Sequence, residues 1–221
     1  MRSPPVESVE RGSRRAEIVE GIQIIRNSRL LGTLAAVQGL AALSAGATSA
    51  LLVVLAERHL HIDATGFGLL LAAIGVGAGI GPLVLQRYVT DVRQPLLLFG
   101  PYILRGLVDL ILAAVSNFAV AIVSLGFYGI GTSTGNVTYN TVLQTTTPDR
   151  FRGRVFAFYD IVWQTGRLIS IGAGGILADQ LGIRGVYIMG GLLLLAAGTA
   201  GFVLVPRTLI TTPITHTNDI S

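Results

Sequence analysis

Long apolar runs separated by short polar segments dominate the chain. Six such stretches occur, each long enough to cross a bilayer core that needs about 20 helical residues; they are 30–56, 64–86, 95–116, 117–148, 155–178 and 185–206. In lipid, each stretch must satisfy its backbone hydrogen bonds internally, which favours helices. Alternation at period two, typical of a membrane β-barrel, is absent from these runs. The pattern predicts an all-α membrane protein with a six-transmembrane-helix bundle.

The polar ends set the expected domain boundaries. Residues 1–29 are predicted to be a cytoplasmic linker, 30–206 the six-helix transmembrane domain, and 207–221 a cytoplasmic polar tail. Within the linker, apolar residues at helical spacing face charged ones over 16–29. This spacing indicates an amphipathic helix lying on the membrane surface.

Composition supports the membrane assignment and narrows the chemistry. Only 13% of the residues are charged, against roughly 25% in an average soluble domain. The chain has no cysteine and three histidines, His59, His61 and His216, so neither a metal site nor a cofactor is expected. The net charge of +4 arises from arginines in the segments between the apolar runs, a placement that favours membrane topology over nucleic-acid binding.

The arginines also predict the orientation. Twelve of the sixteen belong to one side of the predicted bundle: Arg2, Arg11, Arg14, Arg15, Arg26, Arg29, Arg87, Arg93, Arg150, Arg152, Arg154 and Arg207. Because basic loops stay in the cytoplasm, both termini are expected there, in a multi-pass protein of the plasma membrane.

Charged side chains inside two of the spans are functional hypotheses, because each costs at least about 2.5 kcal/mol when unpaired at the bilayer centre. Arg105 and Asp109 are one turn apart in the third span, a spacing that permits either a structural salt bridge or a functional pair. In the fifth span, Asp160, Gln164 and Arg167 share one helical face. That face must point into the bundle or a wet cavity.

Two further patterns in the spans point to packing or to a pathway. Asn136, Asn140 and Gln144 form an amide stripe in the fourth span, which either ties helices together or lines a substrate path. Trp163 and Tyr159, one turn apart, are either cavity walls or part of an interfacial aromatic girdle. Pairs of glycines four residues apart, Gly75 with Gly79, Gly77 with Gly81 and Gly131 with Gly135, predict close helix contacts.

Soluble catalytic signatures are weak: the chain has no HExxH and no phosphate-binding loop, and its GxSxG pattern at 131–135 (GTSTG) lies inside an apolar run rather than at a strand-to-helix turn. An enzyme is therefore not expected, and the remaining classes are transporter and non-transporting membrane protein.

Three sequence segments resemble a known family. They are 136–144 (NVTYNTVLQ), 148–157 (PDRFRGRVFA) and 159–167, with Tyr159-Asp160 and Gly166-Arg167. They are similar to the tenth helix, the following loop and the eleventh helix of major facilitator superfamily exporters, in the branch with enterobactin and macrolide efflux proteins. From Glu17 to Pro206 the chain resembles helices seven to twelve, the C-terminal six-helix half with two inverted three-helix repeats.

The resemblance implies proton-coupled efflux, by an antiporter mechanism, of small amphipathic compounds such as drugs or siderophores. It implies that Asp149, Arg152, Gly153 and Arg154 form a cytoplasmic gate loop. Substrate pathway or proton coupling would fall to Asp160, Arg167, Gln164, Arg105, Asp109, Asn136, Asn140, Gln144 and Trp163. The expected partners are the lipid bilayer, a small-molecule substrate, protons, and a missing N-terminal half or a second copy of the chain; nucleic acid is not among them.

The alternative is a non-transporting protein, either truncated or acting as a membrane interaction module through its polar face. An intramembrane enzyme would need paired catalytic groups at one depth, and Asp109 and Asp160 are the only carboxylates available inside the spans.

Overall fold

The computed structural model describes Gln23, Ile25 and residues 28–91 and 93–206. The predicted tail, 207–221, and most of the predicted linker with its amphipathic helix lie outside the described residues.

Six helices make up the described chain: α1 Arg29–Ala50, α2 Leu52–Arg58, α3 Ala64–Tyr88, α4 Pro95–Ala114, α5 Phe118–Thr146 and α6 Asp149–Leu204. Five of them are long and apolar enough to cross a membrane. The last, with 56 residues, is interrupted at Gly182, whose φ of 71° and ψ of 166° are not helical. We call 149–181 its first arm and 183–204 its second arm. With the two arms counted separately, six segments have spanning length, and the predicted all-α class is confirmed.

The starts of three helices are fixed by polar side chains. Ser28, Asp63 and Asn117 precede α1, α3 and α5, and the side-chain oxygen of each accepts a hydrogen bond from the backbone N–H three residues ahead. Such caps satisfy N–H groups that have no partner within the helix. The run 30–56, predicted as one span, is divided at Leu51 into α1 and the short α2.

The spanning segments form two triplets in chain order: α1, α3 and α4 make the first, and α5 with the two arms of α6 makes the second. The first span, α1, packs against α6, and α5 packs against α3 and α4. In addition, α4 packs against α6. The first helix of each triplet therefore lies against helices of the other triplet, as expected for two inverted three-helix repeats.

The predicted glycine pairs of α3 behave differently from each other. A Cβ atom at Gly77 would overlap the carbonyl oxygen of Gly126, and one at Gly81 would overlap the Ser133 hydroxyl, both on α5. Gly75 and Gly79 have no such neighbour within 4 Å. One pair therefore allows α3 and α5 to touch, whereas the other faces away from the bundle.

The two ends of the bundle differ in chemistry. The arginine end holds Arg87, Arg93 and the stretch 150–154, around the α3–α4 and α5–α6 connections. The histidine end holds His59, Ser116 and Arg184. The Arg184 Nε donates to His59 Nδ1 at 3.3 Å, and the other ring nitrogen lies 3.3 Å from the Ser116 hydroxyl. These three residues join three separate interhelical connections.

Candidate functional site

A cavity of about 290 Å³ opens among α1, α4, α5 and the first arm of α6. Its polar lining is Gln38, Tyr102, Arg105, Asn136, Asn140 and Asp160, and its aromatic lining adds Tyr139, Phe156, Tyr159 and Trp163. Glycines give it room on one side, because Gly131 and Gly135 bring α5 against Pro101 of α4. An amphipathic cavity of this size suits a small ligand with both apolar and polar parts.

Five of the predicted pathway residues line this cavity: Arg105, Asn136, Asn140, Asp160 and Trp163. Four others, Asp109, Gln144, Gln164 and Arg167, are not part of its lining. The sequence interpretation missed Gln38, Tyr102 and Tyr139. A signal existed for Tyr102, which lies one helical turn before Arg105, but neutral residues in an apolar run do not stand out as intramembrane charges do.

Arg105 is buried at the wall of the cavity, with only 8% of its surface exposed. Its Nη2 donates to the Tyr128 hydroxyl at 3.0 Å, and its guanidinium carbon lies 4.8 Å from the centre of the Tyr128 ring. The Nε has no hydrogen-bond partner among the described residues. A buried charge-bearing donor without a partner is costly, and it marks a place where a ligand atom or water is stabilised.

Asp109 lies one turn further along α4 and is 1% exposed. The salt bridge with Arg105 that the spacing permits does not form: within the described ranges, no ion pair within 4 Å joins the two side chains. The Asp109 Oδ2 has no hydrogen-bond partner there either. This carboxyl lines a separate space of about 60 Å³ with Thr48, Tyr128 and Tyr187. Tyr128 therefore contacts Arg105 on one side and borders the Asp109 space on the other.

The polar face of α6 is exposed on the surface of the bundle. Asp160, Gln164 and Arg167 all lie at exposed positions, although Asp160 also reaches the cavity. The amide stripe of α5, with Asn136, Asn140 and Gln144, is exposed as well. Charges directed at hydrocarbon are costly, so this side of the bundle is not a lipid-facing surface.

Ser170, one turn beyond Arg167, ties the first arm of α6 to α1. Its hydroxyl accepts a hydrogen bond from the Ala47 N–H at 2.8 Å and donates to the Leu43 carbonyl. Those two groups are the donor and acceptor of one i→i+4 step of α1. A side chain inserted at such a step is a known cause of helix bending.

The predicted gate loop lies at the arginine end, where α6 begins. Arg152 forms an ion pair with Asp149 at 2.6 Å and donates to the Gln144 carbonyl at 2.9 Å. Phe151 is buried, and the guanidinium groups of Arg150 and Arg154 lie 4.2 Å and 5.8 Å from the centre of its ring. Gly153 is exposed. Residues 149–154 therefore form the first turns of α6 rather than an extended loop, and the buried Phe151 anchors them.

No metal-binding arrangement of three or more His, Asp or Glu side chains occurs among the described residues.

Comparison with known proteins places nearly all of the described bundle within one family. The sequence profile of the Major Facilitator Superfamily matches residues 34–217. The chain is 29% identical over 190 residues to the enterobactin exporter EntS of Escherichia coli O127:H6, a match covering 80% of this chain and 44% of the exporter. It is 27% identical over 189 residues to EntS of Citrobacter koseri, covering 82% and 45% of the two chains.

A third relative is an uncharacterized MFS-type transporter, YfmI, of Bacillus subtilis, 27% identical over 146 residues. That match covers 65% of this chain and 36% of the relative. The chain thus spans less than half the length of the curated relatives it matches.

Proposed function

Because the chain belongs to the major facilitator superfamily, a family of membrane transporters, we propose that it supplies half of an export pathway for small amphipathic compounds. The observation that carries this proposal is the cavity of about 290 Å³, whose lining mixes a buried arginine, amides and aromatic rings. Membrane transporters bind substrate near the bilayer midplane between structural repeats. A cavity bounded by helices of both triplets lies between the two repeats, which supports this role.

Efflux is the direction we favour, since the relatives include proteins named as enterobactin exporters. In this proposal the arginine end is cytoplasmic, in line with the positive-inside rule, and 149–154 forms the inward gate. The driving force is a proton gradient, and Asp160 at the cavity and buried Asp109 are the groups that exchange protons. Drugs and siderophore-type compounds are the substrate classes that fit the mixed lining.

The exposed polar face supports the presence of a second six-helix unit. Asp160, Gln164 and Arg167 lie on the surface of this bundle, where lipid would leave them unsolvated. Relatives more than twice as long as the matched segment contain enough chain for such a unit. We propose that either an N-terminal six-helix half or a second copy covers this face.

Vesicle transport tests the proposal. The full chain, alone and together with the product of any adjacent upstream six-helix reading frame, is reconstituted and loaded with a fluorescent amphipathic dye. We expect dye movement that depends on an imposed proton gradient. Asp160→Asn should abolish the coupling while insertion stays intact, whereas Asp179→Asn, exposed on the same arm but outside the cavity, should transport normally. No movement with or without a partner would refute the proposal.

Orientation and the partner can be tested on a cysteine-free background, since the chain has no cysteine. Gly153→Cys is exposed at the arginine end, and Glu57→Cys is exposed at the histidine end. An impermeant thiol reagent added to intact cells should label only the second variant. Gln164→Cys, alkylated with a thiol-reactive photo-crosslinker, should cross-link on illumination to whichever polypeptide covers the polar face. Labelling of Gly153→Cys from outside would overturn the orientation.

The polar face also favours a second function, a non-transporting interaction module. In that case Gln164→Cys cross-links to another membrane protein, and the reconstituted complex moves no dye. The vesicle and cross-linking results together distinguish the two functions.

A further inference from the structure

Two residues of the cavity lining carry buried donor atoms that the described residues leave without a partner. One is the Arg105 Nε, and the other is the hydroxyl of Tyr139, a residue only 7% exposed. Both residues line the same cavity. Buried donors in folded proteins are nearly always satisfied, so two in one cavity point to a bound group that supplies acceptor atoms.

The other tyrosines of the cavity do not share this property. The Tyr159 hydroxyl donates to the Leu31 carbonyl at 2.6 Å, and the Tyr102 hydroxyl donates to the Gln38 Oε1 at 3.2 Å. Tyr139 packs edge to face on Tyr159, with ring centroids 5.7 Å apart. Its ring is therefore fixed by packing, while its buried hydroxyl has no hydrogen-bond partner in the described part of the chain.

The charged side chains around the cavity also favour a ligand that supplies acceptor atoms. No carboxylate lies within 4 Å of the Arg105 guanidinium in the described part of the chain. Asp160, the carboxylate of the lining, is at an exposed position, where its interactions are weakened by solvent. A buried guanidinium interacts more strongly with charge than an exposed carboxylate does. The buried carboxyl of Asp109, one turn away, lines a separate space, so the deep part of the cavity favours an anion.

The walls define the rest of the ligand. Phe156, Tyr159 and Trp163 surround the space with aromatic rings, and such rings prefer stacked or edge-to-face contacts with another ring. We propose that the cavity selects aromatic anions, with Arg105 binding the negative group and Tyr139 donating a hydrogen bond to it. This inference rests on the proposed function, of which it names the substrate class, and Arg105 and Tyr139 are its specificity-determining residues.

Three planar probes of matched size test the charge preference: benzoate, neutral benzamide and the benzamidinium cation. Trp163 lines the cavity and is the single tryptophan of the chain, so its fluorescence in the purified, detergent-solubilised full chain reports binding. A hydrogen bond to a charged group adds roughly a factor of 10 to 100 in affinity. We expect benzoate to bind at least about 10-fold more tightly than benzamide, and benzamidinium to bind most weakly.

Two variants test the residues. Tyr139→Phe removes only the hydroxyl that donates to the charged group and should weaken benzoate binding by roughly 10- to 100-fold. Arg105→Gln should abolish the preference for benzoate over benzamide, with folding checked by circular dichroism. Tyr88→Phe, at an exposed tyrosine far from the cavity lining, is the matched control and should bind like the wild type.

Equal affinities for the three probes, a preference for benzamidinium, or wild-type benzoate binding by Tyr139→Phe would each overturn the inference. So would the absence of binding by every probe. Benzoate binding without dye transport in vesicles would refute the proposed export function but leave the site intact. Dye transport without a preference for benzoate would support the proposed export function but refute the proposed preference for aromatic anions.

Discussion

Two helices of this bundle carry an arginine and an aspartate on one face, and the structure gives them opposite surroundings. On α4, Arg105 and Asp109 are buried. On the first arm of α6, Asp160 and Arg167 are exposed. The two patterns are equivalent as sequence, since each places an acid and a base on one side of an apolar helix.

The difference arises from what packs around each helix. α4 lies against α5 and α6, and its charged face is enclosed between them. The first arm of α6 packs on α1 through Gly166, Ser170 and Gly174, which leaves its charged side uncovered. The bundle thus seals one polar cluster by itself and leaves the other uncovered.

The largest expected effect is on the buried cluster. Arg105→Ala removes the hydrogen bond to Tyr128 and the positive charge nearest to buried Asp109, and should lower the free energy of unfolding by about 3 kcal/mol. Arg167→Ala, on the open face, should change it by less than about 0.5 kcal/mol. Denaturant unfolding in micelles, followed by circular dichroism, measures both. Similar losses would show that the two faces are not different environments.

The glycines of α3 offer the same contrast without charge. Gly77→Ala forces a methyl group onto the Gly126 carbonyl and should destabilise the bundle by about 2 kcal/mol, typical of overpacking. Gly75→Ala meets no atom within 4 Å and should be neutral or stabilising by up to about 1 kcal/mol, because alanine favours the helix. Thermal denaturation compares the pair, and destabilisation by Gly75→Ala would place a neighbour on the open side.

A smaller effect is expected at the contact between the α6 arm and α1. Ser170→Ala removes a hydroxyl bonded to Ala47 and Leu43, at a cost of about 1 kcal/mol. The cost stays low because the freed N–H and carbonyl can bond to each other within α1. Thr165→Ala, at an exposed position of the same arm, serves as control. Faster hydrogen exchange of the Ala47 amide in Ser170→Ala would contradict this re-pairing.

The smallest effect concerns the histidine end. Partial burial, and then the charge of Arg184, lower the pKa of His59 below its ordinary value of 6.5. The unfolded chain therefore takes up the proton first, and stability should fall as the pH drops below about 6.5 towards the lowered pKa. The shift in melting temperature should be small because the ring is mostly exposed. His59→Gln should remove it, and identical pH profiles for the variant and the wild type would exclude this role.

Much of the fold could be predicted from the sequence. The apolar runs 64–86 and 95–116 form helices close to the expected bounds, because a backbone in lipid must satisfy its hydrogen bonds internally. One interruption could not be predicted: Leu51 ends α1 within an uncharged run, since that break depends on how neighbouring helices pack. The interruption at Gly182, in contrast, falls in the gap expected between the runs 155–178 and 185–206.

The candidate site was predicted in part, for a related reason. Intramembrane charge identified Arg105 and Asp160, because an ionisable group in lipid is conspicuous in any sequence. Tyr139 carries no such signal: a tyrosine in an apolar span is common, and only its neighbours decide whether its hydroxyl has a partner. Likewise, the spacing of Arg105 and Asp109 permits an ion pair, but none forms because the Arg105 side chain is directed towards Tyr128.

The sequence by itself determined that the chain lies in lipid, that it is helical, and how many segments can cross the membrane. The reason is that the cost of an unsatisfied backbone in hydrocarbon depends only on local composition. Tertiary structure alone decided which of two similar charged faces is enclosed, which glycine pair touches a neighbour and which buried donors remain without a partner. Those properties depend on contacts between residues far apart in the chain, and no local pattern specifies them.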